Sequence, residues 1–279
     1  MGAPLPAHPL PARQVPTSRA DVFAPKAHRF VVVVFVINEG DRIRRQIGEM
    51  KRLATIADLV VADGGSTDGS LEPEHLTANG FRAVLTKTGR GKLSAQMRMA
   101  FAWALDEGYE GVVVIDGNGK DGVDAIPDFI RLLERGYDHV QGSRFVPGGK
   151  AINTPLSRLL ALKLLHAPLI TLVTGRKHTD TTNGFRAYSA RLLADPRIDA
   201  FRDVFETYEL HYHLDIEASR RRGEFRTAET AVTRAYPEHG KTPTKISPVK
   251  GNLHVLGVLF KAAGGVYRRS SRYGKETSG

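Results

Sequence analysis

The sequence predicts an α/β domain built on a doubly wound, mostly parallel sheet, and two patterns support that prediction. The first is an alternation of strand-like and helix-like segments through the first half of the chain. The second is that the strand-like segments are continuous runs of Val, Ile and Phe, which suit strands buried on both faces. Together these patterns are typical of a parallel sheet covered by helices on both sides.

The order of the predicted elements agrees with this fold class. Strands are predicted at residues 30–36, 59–62, 81–85, 111–115 and 138–142, and helices at residues 41–54, 94–107 and 126–135. After residue 147 the pattern changes to helices at 156–173 and 200–222 and a strand at 227–234. We therefore expect the sheet to carry a helical extension formed by the second half of the chain.

Length, composition and charge limit the class of protein. The 279 residues suit one large domain, and 41% hydrophobic residues are enough to fill its core. Because the chain has no cysteine, disulfides and thiolate metal sites are excluded, which fits a reducing compartment. The net charge of +10 favours phosphorylated substrates, an anionic membrane or nucleic acid. No nucleic-acid-binding motif or aromatic stacking platform is visible, so we expect no nucleic-acid partner.

The two ends of the chain differ in composition from its middle. Residues 1–28 are rich in Pro and Ala, and we expect a flexible leader there. Residues 251–279 are apolar with a basic end, which suits an anionic membrane surface and equally suits packing on the core or within a homo-oligomer. The longest apolar stretch is interrupted by Lys163, His166 and Pro168, so we expect no spanning helix. These features predict a cytoplasmic protein that associates at most with the cytoplasmic face of a membrane.

Polar side chains follow three of the predicted strands, at the point where each strand ends. Asn38 and Glu39 follow the first strand, Asp63 ends the second, and Asp116 ends the fourth. Because ligands of doubly wound sheets bind beyond the carboxyl ends of the strands, we expect these side chains to line one cleft.

Two common phosphate-binding motifs are absent from this edge. Residues 37–41, after the first strand, contain none of the G-x-G-x-x-G glycine pattern of dinucleotide-binding folds. Gly91-Lys92 is followed by Leu93, where a P-loop requires Ser or Thr. An edge of carboxylates suits a base or ribose together with a diphosphate neutralised by a divalent cation.

Six short motifs occur in a fixed order along the chain. They are VFVINEG (34–40), VVADGGSTDGS (60–70), GRGK (89–92), VVIDGNGKD (113–121), QGSRF (141–145) and TNGFR (182–186). These motifs and their order resemble those of family 2 glycosyltransferases with the GT-A fold, and the chain looks most like the dolichol- or polyprenol-phosphate hexosyltransferase branch. The resemblance implies a GT-A domain at residues 29–250, with a donor half at about 29–146 and an acceptor half at about 147–250.

The resemblance also implies roles for individual residues. A UDP- or GDP-sugar donor would be bound by Asn38, Glu39, Asp63, Gly91, Lys92, Asp116 and Lys245. Mg²⁺ or Mn²⁺ would be held by Asp116 and Asn118. A polyprenyl phosphate or small-molecule acceptor would be bound by Arg144, Ser157, Arg158 and Arg186, with Asp116 and Arg144 also taking part in catalysis.

Several positions depart from the family's usual pattern. Asn118 stands where the family usually has a second Asp, and because its amide is neutral, metal affinity should fall. Lys120 stands where a Gln is frequent, and Ser157 is preceded at the expected spacing by Asn153 instead of Arg. The reaction class is unaffected by these changes, which concern the acceptor and the strength of metal binding.

The type of acceptor determines whether a general base is needed. A hydroxyl acceptor requires a carboxylate to remove its proton, whereas a lipid phosphate is already ionised at pH 7. Glu206 and Glu209 are three residues apart on the predicted helix and should share a face, which makes them the best candidates for that base.

Two further functions fit part of the sequence. A transferase that modifies a soluble small-molecule hydroxyl would explain the missing membrane span, and a non-catalytic sugar-nucleotide binder would explain Asn118. A nucleotidyltransferase would require a Gly-rich basic loop after the first strand, and residues 37–41 contain none.

Overall fold

The computed structural model describes residues 12–237 and 250–268. In these residues the chain forms one eight-stranded sheet, a two-stranded sheet and helices on both faces of the large sheet. The strands are β1 (Ser18–Val22), β2 (Phe30–Val36), β3 (Asp58–Asp63), β4 (Phe81–Lys87), β5 (Gly111–Asp116), β6 (His139–Ser143), β7 (Lys150–Ile152), β8 (Arg186–Ser189), β9 (Thr227–Ala231) and β10 (Thr233–Ala235). The helices are α1 (Asp41–Met50), α2 (Pro73–Ala78), α3 (Leu93–Asp106), α4 (Ile126–Glu134), α5 (Leu156–Ala161), α6 (Ala167–Thr174), α7 (Ala190–Ala194), α8 (Glu209–Arg220) and α9 (Lys250–Ala263).

The large sheet is mostly parallel, as the sequence predicts. Its strand order is β1-β4-β3-β2-β5-β8-β6-β9. Strands β4, β3, β2 and β5 run parallel, while β1 and β8 are antiparallel to their neighbours. Strands from both halves of the chain belong to this one sheet, because β8 lies between β5 and β6 and β9 lies on the other side of β6.

Alternate residues of β2 explain why this strand is apolar throughout. Val31, Val33 and Phe35 pack into the core that also contains residues of α3 and α8. Val32 and Val34 pack into the opposite core, with residues of α1 and α4. Successive side chains of a strand point to opposite faces, so a strand covered on both sides has no polar position.

The expectation of a flexible leader at residues 1–28 is wrong for residues 12–28, which are the part of this segment that the structure describes. Residues Ser18–Val22 form β1, which pairs with β4 at the edge of the sheet. The backbone N–H of Ala27 also donates to the buried carboxylate of Asp58. This segment covers an edge whose backbone groups would otherwise lack partners, a role that its composition did not reveal.

The helix predicted at 200–222 begins later, at Glu209. The backbone N–H groups of Lys92 and Ser94 donate to the carbonyls of Glu206 and Thr207, at 2.8 and 2.9 Å. These contacts with the start of α3 hold the preceding segment in a non-helical conformation. The expectation that Glu206 and Glu209 share a helical face is therefore wrong.

The apolar stretch in the second half forms a continuous helix, in which one π turn, Leu162–His166, joins α5 to α6. Among the described residues, Leu156–Thr174 is the one helix long and apolar enough to cross a membrane by length and composition. This corrects the expectation that Lys163, His166 and Pro168 interrupt such a stretch. Pro168 lies in the first turn of α6, directly after the π turn, where proline is tolerated.

Candidate functional site

The strand tips predicted to form a cleft are neighbours at one edge of the sheet. Val36 of β2 pairs with Asp63 of β3, and Phe35 pairs with Asp116 of β5. The next strand, β4, adds the residues that follow Lys87 to the same edge. The carboxyl ends of four parallel strands therefore bring together segments that are distant in the sequence.

A hydrogen-bonded turn connects the tips of β2 and β3. The N–H of Asn38 donates to Oγ of Ser66 (3.0 Å), which donates to Oδ1 of Asp63 (2.7 Å). The N–H of Thr67 donates to Oδ1 of Asn38 (2.8 Å), and Asn38 has a positive φ of 48°. Asn is one of the few residues that adopt this conformation readily, so its side chain and backbone both shape the turn.

Two other predicted donor residues lie on the same edge. Glu39 is buried and forms an ion pair with Arg42 at 2.8 Å. Gly91 has a φ of +94°, and a Cβ at this position would lie 2.5 Å from Cβ of Ala95. The loop before α3 therefore requires glycine here, and it presents the exposed Lys92 to solvent. Lys245 falls outside the described residues.

Asp116 lies half-buried at the centre of the edge, with 27% of its side chain exposed. The next residue, Gly117, has no room for a side chain, because a Cβ there would lie 2.8 Å from Cγ2 of Val36. Gly184 approaches from the loop before β8, where an added Cβ would come within 3.1 Å of Oδ1 of Asp116. Gly184 therefore lies directly against the carboxylate, and a side chain at this position would crowd it.

Asn118 is directed back toward Asp116. Its Nδ2 donates to Oδ2 of Asp116 (3.2 Å), and its Oδ1 accepts from the N–H of Lys120 (3.2 Å). The two residues predicted to hold a divalent cation therefore contact each other and carry one negative charge between them.

A buried arginine that the sequence did not single out completes the edge. Arg234 of β10 forms an ion pair with Asp121, and its NH2 lies 3.5 Å from Oδ2 of Asp116. Its NH1 also donates to Oδ1 of Asn183 (3.3 Å). Burial alone would lower the pKa of Arg234, but Asp121 and Asp116 outweigh it and raise that pKa, so the guanidinium stays charged.

Three cations surround the ring of Tyr236, and we call them with this ring the Tyr236 cluster. The charged groups of Lys120, Arg158 and Arg234 lie 5.4, 5.6 and 5.8 Å from the ring centroid. Burial favours the neutral phenol, yet the charge of Arg234 and hydrogen bonds from Arg158 and Arg234 lower the pKa of Tyr236. The cluster joins Asp116, through Arg234, to the start of helix α5, which carries Arg158.

Two arginines predicted to contact the acceptor have structural partners within the protein. The Arg144 guanidinium forms a bidentate pair with buried Asp180, at 2.7 and 2.9 Å, and a third bond with Thr182. Arg186, which is 2% exposed, donates to the backbone carbonyls of three residues: Asn183, His211 and Thr181. These contacts fix both side chains in position. Their expected roles toward an acceptor, and the catalytic role expected of Arg144, stay predictions.

The remaining candidates divide into exposed and buried residues. Ser157 is exposed on α5, one residue before Arg158 of the Tyr236 cluster. Glu206 is exposed ahead of α8. Glu209 is buried, and its two carboxylate oxygens accept from the N–H and Oγ1 of Thr207, at 2.5 and 2.6 Å.

Sequence reasoning missed Arg234, Tyr236 and Asp180. A weak signal existed for the first two, because Arg234 ends a predicted strand and Tyr236 begins a Gly/Pro-rich basic segment. Nothing near Asp180 in the sequence points to Arg144, since 36 positions separate the two residues.

Whether this edge of the sheet can bind a divalent metal depends on the oxygen atoms that its side chains offer. Asp116 and Asn118 offer carboxylate and amide oxygens, which are ligands that Mg²⁺ and Mn²⁺ accept. In the described part of the chain, no group of three or more His, Asp or Glu residues could hold a metal ion. An ion at this edge would therefore depend on oxygens of the substrate for most of its coordination.

This mostly parallel sheet, with an acidic residue at the tip of β5, gives the chain a fold of the GT-A type. The particular family follows from the sequence. The family model described as Glycosyl transferase family 2 matches residues 31–195, and the chain belongs to that family.

Two characterised relatives share most of their length with this chain. It is 29% identical to an undecaprenyl-phosphate mannosyltransferase of Micrococcus luteus over 77% of this chain and 86% of the relative. It is 26% identical to a polyprenol monophosphomannose synthase of Mycolicibacterium smegmatis over 84% of this chain and 86% of the relative. The predicted resemblance to the polyprenol-phosphate branch is thereby confirmed.

Solved structures support the same fold. Glucosyl-3-phosphoglycerate synthase of Mycobacterium tuberculosis, in complex with UDP, matches with a TM-score of 0.55 and 20% identity. The match covers 87% of this chain and 81% of that chain. Another structure of that synthase, with Mn²⁺, UDP and phosphoglyceric acid, matches with a TM-score of 0.53 and 18% identity, over 87% of this chain and 80% of that chain.

Proposed function

We propose that the protein transfers a hexosyl group from a UDP- or GDP-sugar to a polyprenyl phosphate. The names of the two relatives support the acceptor, because both specify a polyprenyl carrier joined to mannose through phosphate. The two solved structures of glucosyl-3-phosphoglycerate synthase support a nucleotide donor, since both are complexes with UDP.

The donor nucleoside would lie at the tips of β2, β3 and β4. Asn38, Glu39 and Asp63 would face the base and ribose, and the loop of Gly91 and Lys92 would close that side. Their common edge and the rigid turn through Ser66 support this assignment. Lys245 stays a proposal as a further cation for the diphosphate.

The acceptor phosphate would bind on the Arg158 side of the Tyr236 cluster, and this cluster is the observation on which the proposal chiefly rests. It holds three cations beside Asp116, at the position where an apolar helix begins. Arginine and lysine groups that are fixed in place bind phosphate strongly through charge-assisted hydrogen bonds. Arg158 is the residue best placed for the acceptor, because it belongs to α5, with Ser157 beside it.

The reaction would be a single displacement at the anomeric carbon. A phosphate oxygen of the acceptor forms a bond to that carbon while the bond from the carbon to the donor diphosphate breaks. The electron pair of the broken bond leaves with the nucleoside diphosphate, and no proton has to be transferred. The hydrogen bonds that Glu209 accepts from Thr207 agree with a reaction that needs no carboxylate base.

A divalent cation, Mg²⁺ or Mn²⁺, would be held by Asp116 and Asn118 and would offset charge on the departing diphosphate. Arg234 would act in the same place, because it is charged and lies 3.5 Å from Asp116. Fixed charges aimed at a leaving group stabilise the transition state without reorganisation.

A lipid acceptor implies that the protein acts at a membrane surface, and the helix formed by α5 and α6 supports this location. On one face of this helix Leu162, His166 and Ile170 are buried, while Leu164 and Leu172 are 73% and 80% exposed. An exposed apolar helix next to a phosphate-binding cluster would position the lipid chain in the bilayer and its phosphate at Arg158.

A transfer assay tests the proposal. Purified protein is incubated with radiolabelled UDP- and GDP-hexoses and with polyprenyl phosphate in detergent, and lipid-extractable label is measured. We expect transfer with the wild type, and at least a hundredfold less with Asp116→Ala. With Arg158→Gln we expect the KM for polyprenyl phosphate to rise about tenfold, by the loss of one charge-assisted contact.

The exposed Lys51→Gln variant removes the same charge as Arg158→Gln and should behave as the wild type. Dephosphorylated polyprenol and phosphoglyceric acid serve as alternative acceptors. Transfer to either of these, but not to polyprenyl phosphate, would contradict the proposed acceptor.

A further inference from the structure

We infer that Lys120 and Arg234 bind the donor diphosphate directly, so that nucleotide binding depends only weakly on a divalent metal. The inference deepens the proposed function and rests on it, because it concerns the charge balance of the same donor site.

Among the described residues, the formal charges around Asp116 leave no excess of negative charge. Asp116 and Asp121 are carboxylates, Arg234 contacts both of them, and Lys120 lies beside Arg234 on the ring of Tyr236. These two carboxylates are offset by the two cations, Arg158 adds a third cation at the same ring, and Asn118 adds no charge. Divalent cations of the Mg²⁺ and Mn²⁺ type bind where anionic oxygens are in excess, so this site has little affinity for such an ion by itself.

The same arrangement suits an anion. Lys120 is 6% exposed and Arg234 is 7% exposed, so both cations have lost most of their contact with water. Buried charges interact strongly with an incoming charge because the surrounding dielectric is low. A diphosphate next to Asp116 would recover part of the desolvation cost of both side chains.

Arg234 is held in a fixed position before any ligand arrives. Asp121 pairs with it, Asn183 accepts from it, and the ring centroid of Tyr236 lies 5.8 Å from its guanidinium carbon. Its NH2 lies 3.5 Å from Oδ2 of Asp116, so a phosphate oxygen that approaches this carboxylate also approaches the guanidinium. A cation that needs no rearrangement contributes more to binding than a mobile one.

Lys120 is the residue to change, because Arg234 also partners buried Asp121 and its removal would leave that carboxylate unpaired. Lys120→Gln removes one positive charge and retains a polar side chain of similar length. Lys120→Arg retains the charge, and Lys51→Gln removes an exposed charge on the short segment after α1.

Isothermal titration calorimetry with UDP and GDP, in EDTA and in excess Mn²⁺, tests the inference without any acceptor. For the nucleotide that binds the wild type, we expect a Kd in EDTA within about tenfold of the value in Mn²⁺. Lys120→Gln should weaken binding in EDTA by about tenfold or more, and by less in Mn²⁺, because charged hydrogen bonds contribute at least this much. Lys120→Arg and Lys51→Gln should bind within about threefold of the wild type in EDTA.

The other outcomes separate this inference from the proposed function. Nucleotide binding that requires Mn²⁺ in the wild type, or metal-free affinity that is equal in the wild type and Lys120→Gln, overturns the role of the fixed cations and leaves the donor site standing. No binding of either nucleotide under both conditions overturns the donor site and the inference together. If Lys120→Gln shows no cooperative thermal transition, the metal dependence of the wild type and the affinity of Lys120→Arg decide the question.

Discussion

Glu209 shows how the surroundings of a residue change the interpretation of its chemistry. From sequence it is a candidate base, but in the structure it opens helix α8 and accepts two hydrogen bonds from Thr207. Carboxylates in the first turn of a helix are stabilised by the helix dipole. The residue therefore has a structural role in which each carboxylate oxygen accepts a hydrogen bond from Thr207.

Replacing Glu209 by Gln tests this interpretation. We expect kcat with polyprenyl phosphate to stay within about threefold of the wild type, because the acceptor needs no base. The variant should lose about 1 kcal/mol of stability, since it loses a negative charge in the first turn of α8 and weakens the hydrogen bonds from Thr207. Transfer rates and urea denaturation measure the two effects. A large loss of kcat with unchanged stability would show that Glu209 removes a proton, as transfer to a hydroxyl would require.

Three elements meet in a buried polar junction behind the catalytic edge. His139 of β6 and His178 of the loop before β8 lie 3.7 and 3.6 Å from Oδ1 of Asp215, on α8. Asp215 is completely buried, and burial lowers the pKa of His139 to about 4 despite the carboxylate nearby. His139 is therefore neutral in the folded protein at pH 7.

This junction predicts acid sensitivity. An unfolded histidine titrates near pH 6.5 and folded His139 near 4, so between these values the unfolded state binds more protons. Stability is therefore fully present above about pH 6.5 and falls as the pH drops, by roughly 2 kcal/mol at pH 5 from this residue. Urea denaturation of the wild type and His139→Gln at pH 7 and pH 5 measures it, with a smaller loss expected for the variant. An equal loss in both proteins would exclude His139 as the source.

On the scale of the whole molecule, exposed apolar side chains accompany a positive net charge. Leu164 is exposed on the π turn between α5 and α6, Leu172 is exposed on α6, Phe260 is 53% exposed on α9, and the net charge is +10. Soluble proteins rarely expose several large apolar side chains, whereas helices that bind a membrane surface combine such side chains with basic residues. We expect this surface to contact a bilayer that contains anionic lipid.

Co-sedimentation with liposomes checks this expectation. The wild type should bind vesicles that contain phosphatidylglycerol better than neutral vesicles. Leu164→Glu with Leu172→Glu should weaken binding at least tenfold, because each leucine loses its burial in the bilayer, which is worth about 1.5–3 kcal/mol. Ile56→Glu, at a residue that is 40% exposed after α1, is the matched control and should bind as the wild type. Unchanged binding of the double variant would contradict this docking surface.

The sequence by itself determined the sheet, its parallel core and the edge where Asp63 and Asp116 lie. These features depend on local patterns, since runs of buried residues define strands and the end of a strand defines its tip. The family resemblance rests on the same segments, and the sheet class and the family are confirmed. The roles of Asn38, Glu39 and Asp63 toward a donor stay predictions.

Only the tertiary structure decided which charges meet. Arg234 lies 118 positions from Asp116, and Arg144 lies 36 positions from Asp180, so no local pattern links either pair. The start of α8 and the pairing of β1 were decided in the same way, by hydrogen bonds to distant backbone. Periodicity is a property of neighbouring residues, whereas the partner of a buried charge depends on how the whole chain packs.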